Sequence, residues 1–270
     1  MKIIKKIAEL DKYISNVSNL GFVPTMGGLH KGHVSLIKES IKKCKKTLIS
    51  IFINPTQFNK KKDFLTYPKN MKKDLAILKK LDVDIVFIPS SKEMYKKKRK
   101  KKIIIKKNLN ILCGKYRKGH FEGVIDIVDR FLQIIKPRYI FLGEKDFQQQ
   151  FLVKQHINNR FKTTVKLCKT IRNKNKIALS TRNKLLNIKE IKKCSLIVKK
   201  LISVKNKVKK KLNYSKNIFN IKRELMNNFK IKIDYLELRN ENNLSKKFNK
   251  NNFRVFIAYH IGKVRLIDNL

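Results

Sequence analysis

The chain has 270 residues, 42% of them hydrophobic, and a formal charge of +48 from 67 Lys and Arg against 19 Asp and Glu. That length holds one large domain or two smaller ones with a real core, and no apolar run reaches the ~18 residues that a membrane span needs. The charge invites a nucleic-acid reading, but Lys, Asn and Ile are all abundant, Trp is absent and the basic residues run the whole length, a profile that AT-rich codons yield without any polyanionic partner; the expectation is no specific nucleic acid and no membrane.

The N-terminus, MKIIKKIAELDKY, is basic and too short in apolar length for a signal peptide. Its pattern predicts an amphipathic helix, and a cytoplasmic protein is expected. Cys44, Cys113, Cys168 and Cys194 form no CxxC pair, so reduced thiols are expected rather than disulfides or zinc.

Gly21-Phe22-Val23 predicts a buried strand that Pro24 stops, because proline has no N–H to give. Gly27 and Gly28 allow a tight turn and a close approach of ligand to backbone. His30 and His33 follow, and Val34, Leu36, Ile37 and Ile41 begin an apolar helical face. Strand, glycine turn and helix start make a phosphate site, since free helical N–H groups point into the turn. Two histidines three apart face the same way and suit a polyphosphate; the plainer alternative is a turn with two solvated histidines.

Thr47–Ile53 reads as a central parallel strand. It ends in Asn54-Pro55-Thr56-Gln57-Phe58, which sets amides at the carboxyl end of a strand, where open α/β sheets bind ligands. Met71–Leu81 reads as a helix with Leu75 and Leu78 inward, and Asp84–Ile88 as a strand. The first ninety residues thus predict strand–helix–strand–helix–strand and a parallel α/β sheet. Lys96–Lys102 is KKKRKKK, a solvated loop, and Ile103–Ile105 is a short strand candidate. Leu112–Gly123 is a glycine-rich basic loop, Val124–Ile135 a helix ended by Pro137, and Tyr139–Leu142 a fourth strand.

Gly143-Glu144-Lys145-Asp146 then precedes three glutamines. Either Asp146 caps a helix, or Lys145 meets phosphate, Asp146 a ribose hydroxyl and a glutamine reaches the pocket. After a strand at Thr163–Lys169 and a polar turn, Leu179-Ser180-Thr181-Arg182 offers two hydroxyls and a planar cation suited to phosphate oxygens. Glu190–Val208 and Ile218–Phe229 predict helices, Ile233–Leu238 and Phe253–Tyr259 strands. The last hundred residues read as a smaller α+β domain, with a boundary near Ile171.

Seven blocks carry a resemblance: PTMGGLHKGH at 24–33, SIFINPTQF at 50–58, YP at 67–68, LCGKYRKGHFEGV at 112–124, GEKDFQQ at 143–149, LSTRN at 179–183 and GKVRLIDN at 262–269. In this order and spacing the chain resembles the pantothenate synthetase (pantoate–β-alanine ligase) family of HxGH nucleotidyltransferases. The resemblance implies a Rossmann-like parallel-sheet domain at 1–171 that binds ATP and pantoate, a smaller C-terminal α+β lid domain at 172–270, and usually a homodimer. It implies ATP-dependent joining of pantoate and β-alanine through pantoyl adenylate, with Mg2+ accompanying ATP.

By the same resemblance, Met26, Gly27, Gly28, Leu29, His30, Lys31, Gly32 and His33 match the family's ATP-binding stretch. His33 matches its proton donor and His30 a phosphate-binding companion; donation and phosphate binding by His33 both remain open. Gly143, Glu144, Lys145 and Asp146 match further ATP contacts, Ile171 a backbone contact to adenine, and Leu179, Ser180, Thr181 and Arg182 the phosphate grip. Gln57 and Gln149 match the pantoate clamps, with Met26 and Asn54 beside them. His33, His30, Lys145 and Arg182 are the expected catalytic set. Lys118 replaces a common proline, Asp126 a small hydroxyl residue, and Thr181 a frequent serine. Two other classes compete: an RNA-binding nucleotidyltransferase, which leaves GEKDFQQ and NPTQF without a role, and a non-catalytic basic protein, against which every expected catalytic position is present.

Overall fold

The first ninety residues lay down four parallel strands rather than three. The computed structural model describes residues 1–59, 61–96, 103–106, 109–158 and 160–270. Strand β1 (Lys2–Ile4) precedes helix α1 (Ile7–Ile14), so the N-terminal segment splits where one helix was expected. Then come β2 (Leu20–Thr25), α2 (Lys31–Lys43), β3 (Lys46–Ile51), α3 (Lys61–Leu65), α4 (Met71–Lys80) and β4 (Ile85–Phe87). Three residues carry too little pattern to announce a strand, yet β1 pairs in parallel with β4 and closes one edge of the sheet.

Helix α5 (Ser91–Met94) follows. Beyond Lys96 the lysine run lies outside the described residues, and Ile103–Ile105 belongs to neither sheet, with Ile104 solvated. The expected glycine-rich loop is partly helical: α6 spans Cys113–Tyr116, and α7 (His120–Ile135) begins four residues before the apolar stripe does. Strand β5 (Tyr139–Gly143), α8 (Phe147–Asn158) and β6 (Thr164–Cys168) complete a six-stranded parallel sheet in the order β1-β4-β3-β2-β5-β6.

Alternation along each strand sends side chains to both faces. Val23, Ile49, Val86 and Phe141 pack with Leu36 and Ile37 of α2 and Leu78 of α4. On the other face, Phe131 of α7 meets the rings of Phe22, Phe52 and Phe87 at 5.4, 6.2 and 6.3 Å. Removing a ring so placed costs about 3–5 kcal/mol. Gly21 admits α2 to the sheet: a Cβ there would lie 2.2 Å from the Ser40 hydroxyl oxygen and 2.8 Å from the Cys44 sulfur.

The chain divides into two compact units, Met1–Lys107 with Arg117–Ile171, and Asn108–Tyr116 with Arg172–Leu270. In the second, α9 (Ile188–Lys210) starts on a reciprocal cap: Asn187 accepts from the Glu190 amide at 3.0 Å and Glu190 from the Asn187 amide at 2.8 Å. Helix α10 (Ile218–Phe229) leads into the antiparallel meander β7 (Lys232–Asn240), β8 (Phe253–Ile261) and β9 (Val264–Asn269). Ile197, Leu201, Val204 and Val208 of α9, at helical spacing, pack with Ile221 and Leu225 of α10 over Leu236, Val255 and Ile257. The tail, which carries no strong strand signal of its own, is a full strand. The architecture is therefore an α/β parallel-sheet domain with a smaller α+β domain.

Candidate functional site

The strand order reverses direction between β2 and β5. In an open parallel sheet that is where a crevice forms beyond the carboxyl ends. Strand β2 pairs with β3 through Thr25, but with β5 only at Gly21 and Phe22. Pro24 thus does not stop the strand, contrary to the sequence expectation; it lies opposite Ser50 in a continuing ladder. The β5 side is where pairing ends early.

The turn leaving β2 is held from below. The Thr25 hydroxyl donates to the Ser50 carbonyl at 2.7 Å and accepts from the Gly27 amide at 3.2 Å. Gly27 and Gly28 stand at φ +79° and +66°, values that glycine adopts without steric cost. The amides of Gly28 and Leu29 both donate to the carboxylate of Asp74, each at 2.8 Å. Their hydrogens are therefore committed within the protein.

The histidines lie side by side, both half-buried. His30 is the N-cap of α2, its Nδ1 accepting from the Gly32 amide at 3.1 Å. That bond assigns the ring proton of neutral His30 to Nε2. The ring lies 4.1 Å from that of His33. The first turn of α2 contains no acid of its own and includes Lys31; the carboxylate nearest its start is that of Asp74, on the amides of Gly28 and Leu29.

A second loop stands beside the turn. Asn54 is 1% exposed, and both ends of its amide are engaged. Its oxygen accepts from the Tyr95 hydroxyl at 2.6 Å and the Thr56 amide at 3.3 Å; its nitrogen donates to the Gly123 carbonyl at 3.0 Å. Asn54, expected beside the substrate, thus pins the loop with its side chain. Burial raises the Tyr95 phenol above its usual range, against a smaller lowering by its bond to Thr56, and keeps it a donor. Arg130 stacks on Tyr95 at 4.7 Å and pairs with Asp126 at 3.1 Å, so the unusual acid at 126 is compensated by a cation one turn away. Gly123 permits the contact: a Cβ there would sit 2.5 Å from the Thr56 carbonyl.

The loop presents Gln57. Its carbonyl accepts from His120 Nδ1 at 2.7 Å, while Arg117 approaches His120 Nε2 at 2.8 Å. Guanidinium only donates, so that geometry assigns the His120 proton to Nδ1. The Gln57 side-chain amide donates to the Met26 thioether at 2.6 Å.

On the other side of the crevice, Gly143 ends β5 and Glu144–Asp146 form one tight helical turn into α8. The Lys145 ammonium lies 3.2 Å from Asp146 Oδ1. Gln148 and Gln150 are buried, whereas Gln149 is half-exposed. Cys168, at the end of β6, is pushed up to about 11, first by burial and then by Glu39 and Glu144; it is no nucleophile at neutral pH. Ile171 closes the first unit, half-buried.

Leu179–Arg182 lie in the second unit. There Ser180 accepts from the Arg182 amide at 3.3 Å and starts a short helical turn at Thr181, which is itself buried. Leu179, Ser180 and Arg182 are half-exposed. Among the described residues, no group of three or more His, Cys, Asp or Glu side chains is placed to hold a metal ion.

A family model described as pantoate-beta-alanine ligase matches residues 2–270. The chain belongs to that family. Pantothenate synthetase of Francisella tularensis subsp. novicida (strain U112) is 39% identical over 98% of this chain and 94% of that protein. The crystal structure of a pantoate-beta-alanine ligase from Francisella tularensis, complexed with beta-gamma ATP and beta-alanine, is similar with a TM-score of 0.85 at 37% identity, covering 100% of this chain and 97% of that one. Pantothenate synthetase from Thermus thermophilus gives 0.88 at 29% identity, covering 100% and 99%.

For a pantoate–β-alanine ligase, the first unit gathers Met26–His33 and Gln57 around one end of the sheet and brings Gly143–Asp146 to the neighbouring strand end. Sequence reasoning missed Asp74, His120, Arg117 and Tyr95, which position those groups. Asp74 had one faint signal: it precedes Leu78 by four residues and shares its buried helix face.

Proposed function

We propose that this chain joins pantoate to β-alanine at the expense of ATP, releasing AMP and pyrophosphate, with the first unit binding ATP and pantoate and the second acting as a lid. The observation that carries this reading is the pair His30 and His33 at the start of α2, their rings 4.1 Å apart, beside an amide at Gln57. A carboxylate is a poor acyl donor because oxide leaves badly. Attack of the pantoate carboxylate on the α-phosphorus expels pyrophosphate and gives pantoyl adenylate. The β-alanine amine then attacks the acyl carbon, AMP leaves with the electrons of the acyl C–O bond, and the amine gives up a proton.

Both steps need negative charge stabilised on phosphate oxygens, not a covalent nucleophile. His30, donating from Nε2, and His33 supply hydrogen bonds there; Lys145 and Arg182 supply cations. Each such contact is worth roughly 10²–10³ in rate when preorganised. Gln57 is held on a thioether, a weak acceptor, and a carboxylate would displace it with gain. Gln149, half-exposed in the first turn of α8 after β5, is the second clamp. The rest is alignment of two bound reactants.

Met26 to His33, Gly143 to Asp146, Ile171 and Leu179 to Arg182 form the proposed ATP contacts. The described side chains provide no cage for Mg2+, so the ion is proposed only as the counter-ion of the ATP phosphates, and no step is assigned to it. A homodimer in the cytoplasm completes the proposal. No described helix is long and apolar enough to cross a membrane.

The test is direct. Pyrophosphate release from ATP should require pantoate alone, and AMP release should follow addition of β-alanine. Pyrophosphate release that instead requires an amino acid and RNA would overturn the reading. Gln57→Ala and Gln149→Ala should each raise the KM for pantoate and leave ATP binding nearly unchanged.

A further inference from the structure

We propose that Asp74 is a built-in anion that fills the amide pair of the β2–α2 turn, presetting the turn and directing the ATP phosphates to the histidine side. The inference rests on the ATP site proposed above. Asp74 is 2% exposed, and its two oxygens each take one amide, Oδ2 from Gly28 and Oδ1 from Leu29, both at 2.8 Å. Two successive amides of this turn converge on one carboxylate, and successive N–H groups gathered at a turn elsewhere cradle phosphate or another anion. Here the cradle is already full.

The occupant comes from α4, 46 residues from Gly28 in sequence, so it is part of the fold and not a local turn device. Gly27 is matched to it: a Cβ at 27 would stand 3.0 Å from Asp74 Oδ2. Thr25 fixes the other end of the same turn through the Gly27 amide. Charge-assisted bonds of this length are strong, so the turn needs no ligand to hold its shape. A buried negative charge on the α4 side also repels phosphate from that side, toward His30, His33 and the start of α2. Asp74 is thus a positioning residue: it acts on the turn and touches no reacting atom.

The experiment is Asp74→Ala in the full-length protein, with formate as the probe for an emptied anion cradle. Formate should raise the Tm of Asp74→Ala and leave that of the unsubstituted protein unchanged, a readout independent of catalysis. The KM for ATP should rise by roughly ten-fold or more, with a smaller change in kcat, and formate should bring it back toward the unsubstituted value. Asp74→Asn keeps the volume but offers only one oxygen, and should raise the KM for ATP without being rescued by formate.

A folded Asp74→Ala with unchanged KM for ATP would overturn the proposal, as would one in which formate moves neither Tm nor KM. Should Asp74→Ala not fold, Asp74→Asn decides, an unchanged KM for ATP again overturning it. Absence of ATP-dependent activity in the unsubstituted protein would instead remove the function proposed above, while the formate shift in Tm would still report on the cradle.

Discussion

Asp74 and Asp234 are both buried carboxylates, one in each unit, and their partners differ in kind. Asp234 on β7 is answered by side chains: Arg265 Nε at 2.8 Å and His260 Nε2 at 3.1 Å. The Arg265 guanidinium also lies 3.6 Å from the Cys113 sulfur, and that sulfur is 3.1 Å from the Tyr235 hydroxyl. The circle closes on itself. Asp74 is answered by main-chain amides at a turn, and that turn leads into the two histidines of α2. A buried charge paired with side chains ties elements together. A buried charge paired with a glycine turn sets a backbone shape that something else then uses.

The comparison breaks first on the histidines. If the turn exists to aim them, His33→Ala should lower turnover by roughly 10²–10³ while leaving Tm unchanged. Steady-state pyrophosphate release and a thermal melt on the same preparation check this. A large fall in Tm with unchanged turnover would make His33 structural and set the two carboxylates back on equal terms.

Asp234→Ala should show the opposite pattern. Removing one partner of a buried ion pair costs about 3–5 kcal/mol, so Tm should fall and the KM for ATP should hold. The pH dependence has a definite sign. Burial alone would raise the Asp234 carboxyl, but the Arg265 bond and charge, helped by His260, outweigh it and hold it below its usual value. A carboxyl depressed in the folded state adds stability above its unfolded pKa of about 3.9. That contribution is lost as pH falls through this value toward the folded one. Urea midpoints between pH 3 and 6 should therefore drop more steeply for the unsubstituted protein than for Asp234→Ala.

How much of this was legible in sequence follows from which contacts are local. The β2–α2 block showed itself because glycines, histidines and a helical stripe stand side by side, and its stacked histidines are where the spacing puts them. Asp74 was not legible because its meaning lies in amides 45 and 46 residues earlier. Asn54 was legible as a strand-end amide, yet its task, holding Gly123 and Tyr95, needed the packing of α7. Strand β1 is too short to carry a period, and Ile103–Ile105 has the composition of a strand but pairs with no strand among the described residues. Composition read the lysines as surface; it had no means of seeing that Arg117 and Arg130 are instead set against His120 and Tyr95.

Gly123→Ala tests that packing and should have a smaller effect. The added methyl would meet the Thr56 carbonyl at 2.5 Å, closer than any contact can be, so α7 or the Asn54–Gln57 loop must shift. The KM for pantoate should rise by about ten-fold, because Gln57 moves with the loop, and the KM for ATP should change less. Equal changes in both would mean that the loop and the β2–α2 turn move as one body.

The smallest effect belongs to Cys168, which ends β6 and packs in the first unit's core. Glu144, one of the charges that raises it, neighbours Lys145, so a reactive thiol there would have been easy to suppose. With its pKa pushed up to about 11, only roughly one molecule in a thousand carries the thiolate at pH 8. Cys168→Ala should keep turnover within about two-fold, because no step of the proposed reaction uses a thiol. Iodoacetamide should label Cys168 more than about a hundred-fold more slowly than a free thiol. Rapid labelling that ATP prevents would show the sulfur facing the nucleotide, and would make the carboxyl end of β6 part of the working site instead of its wall.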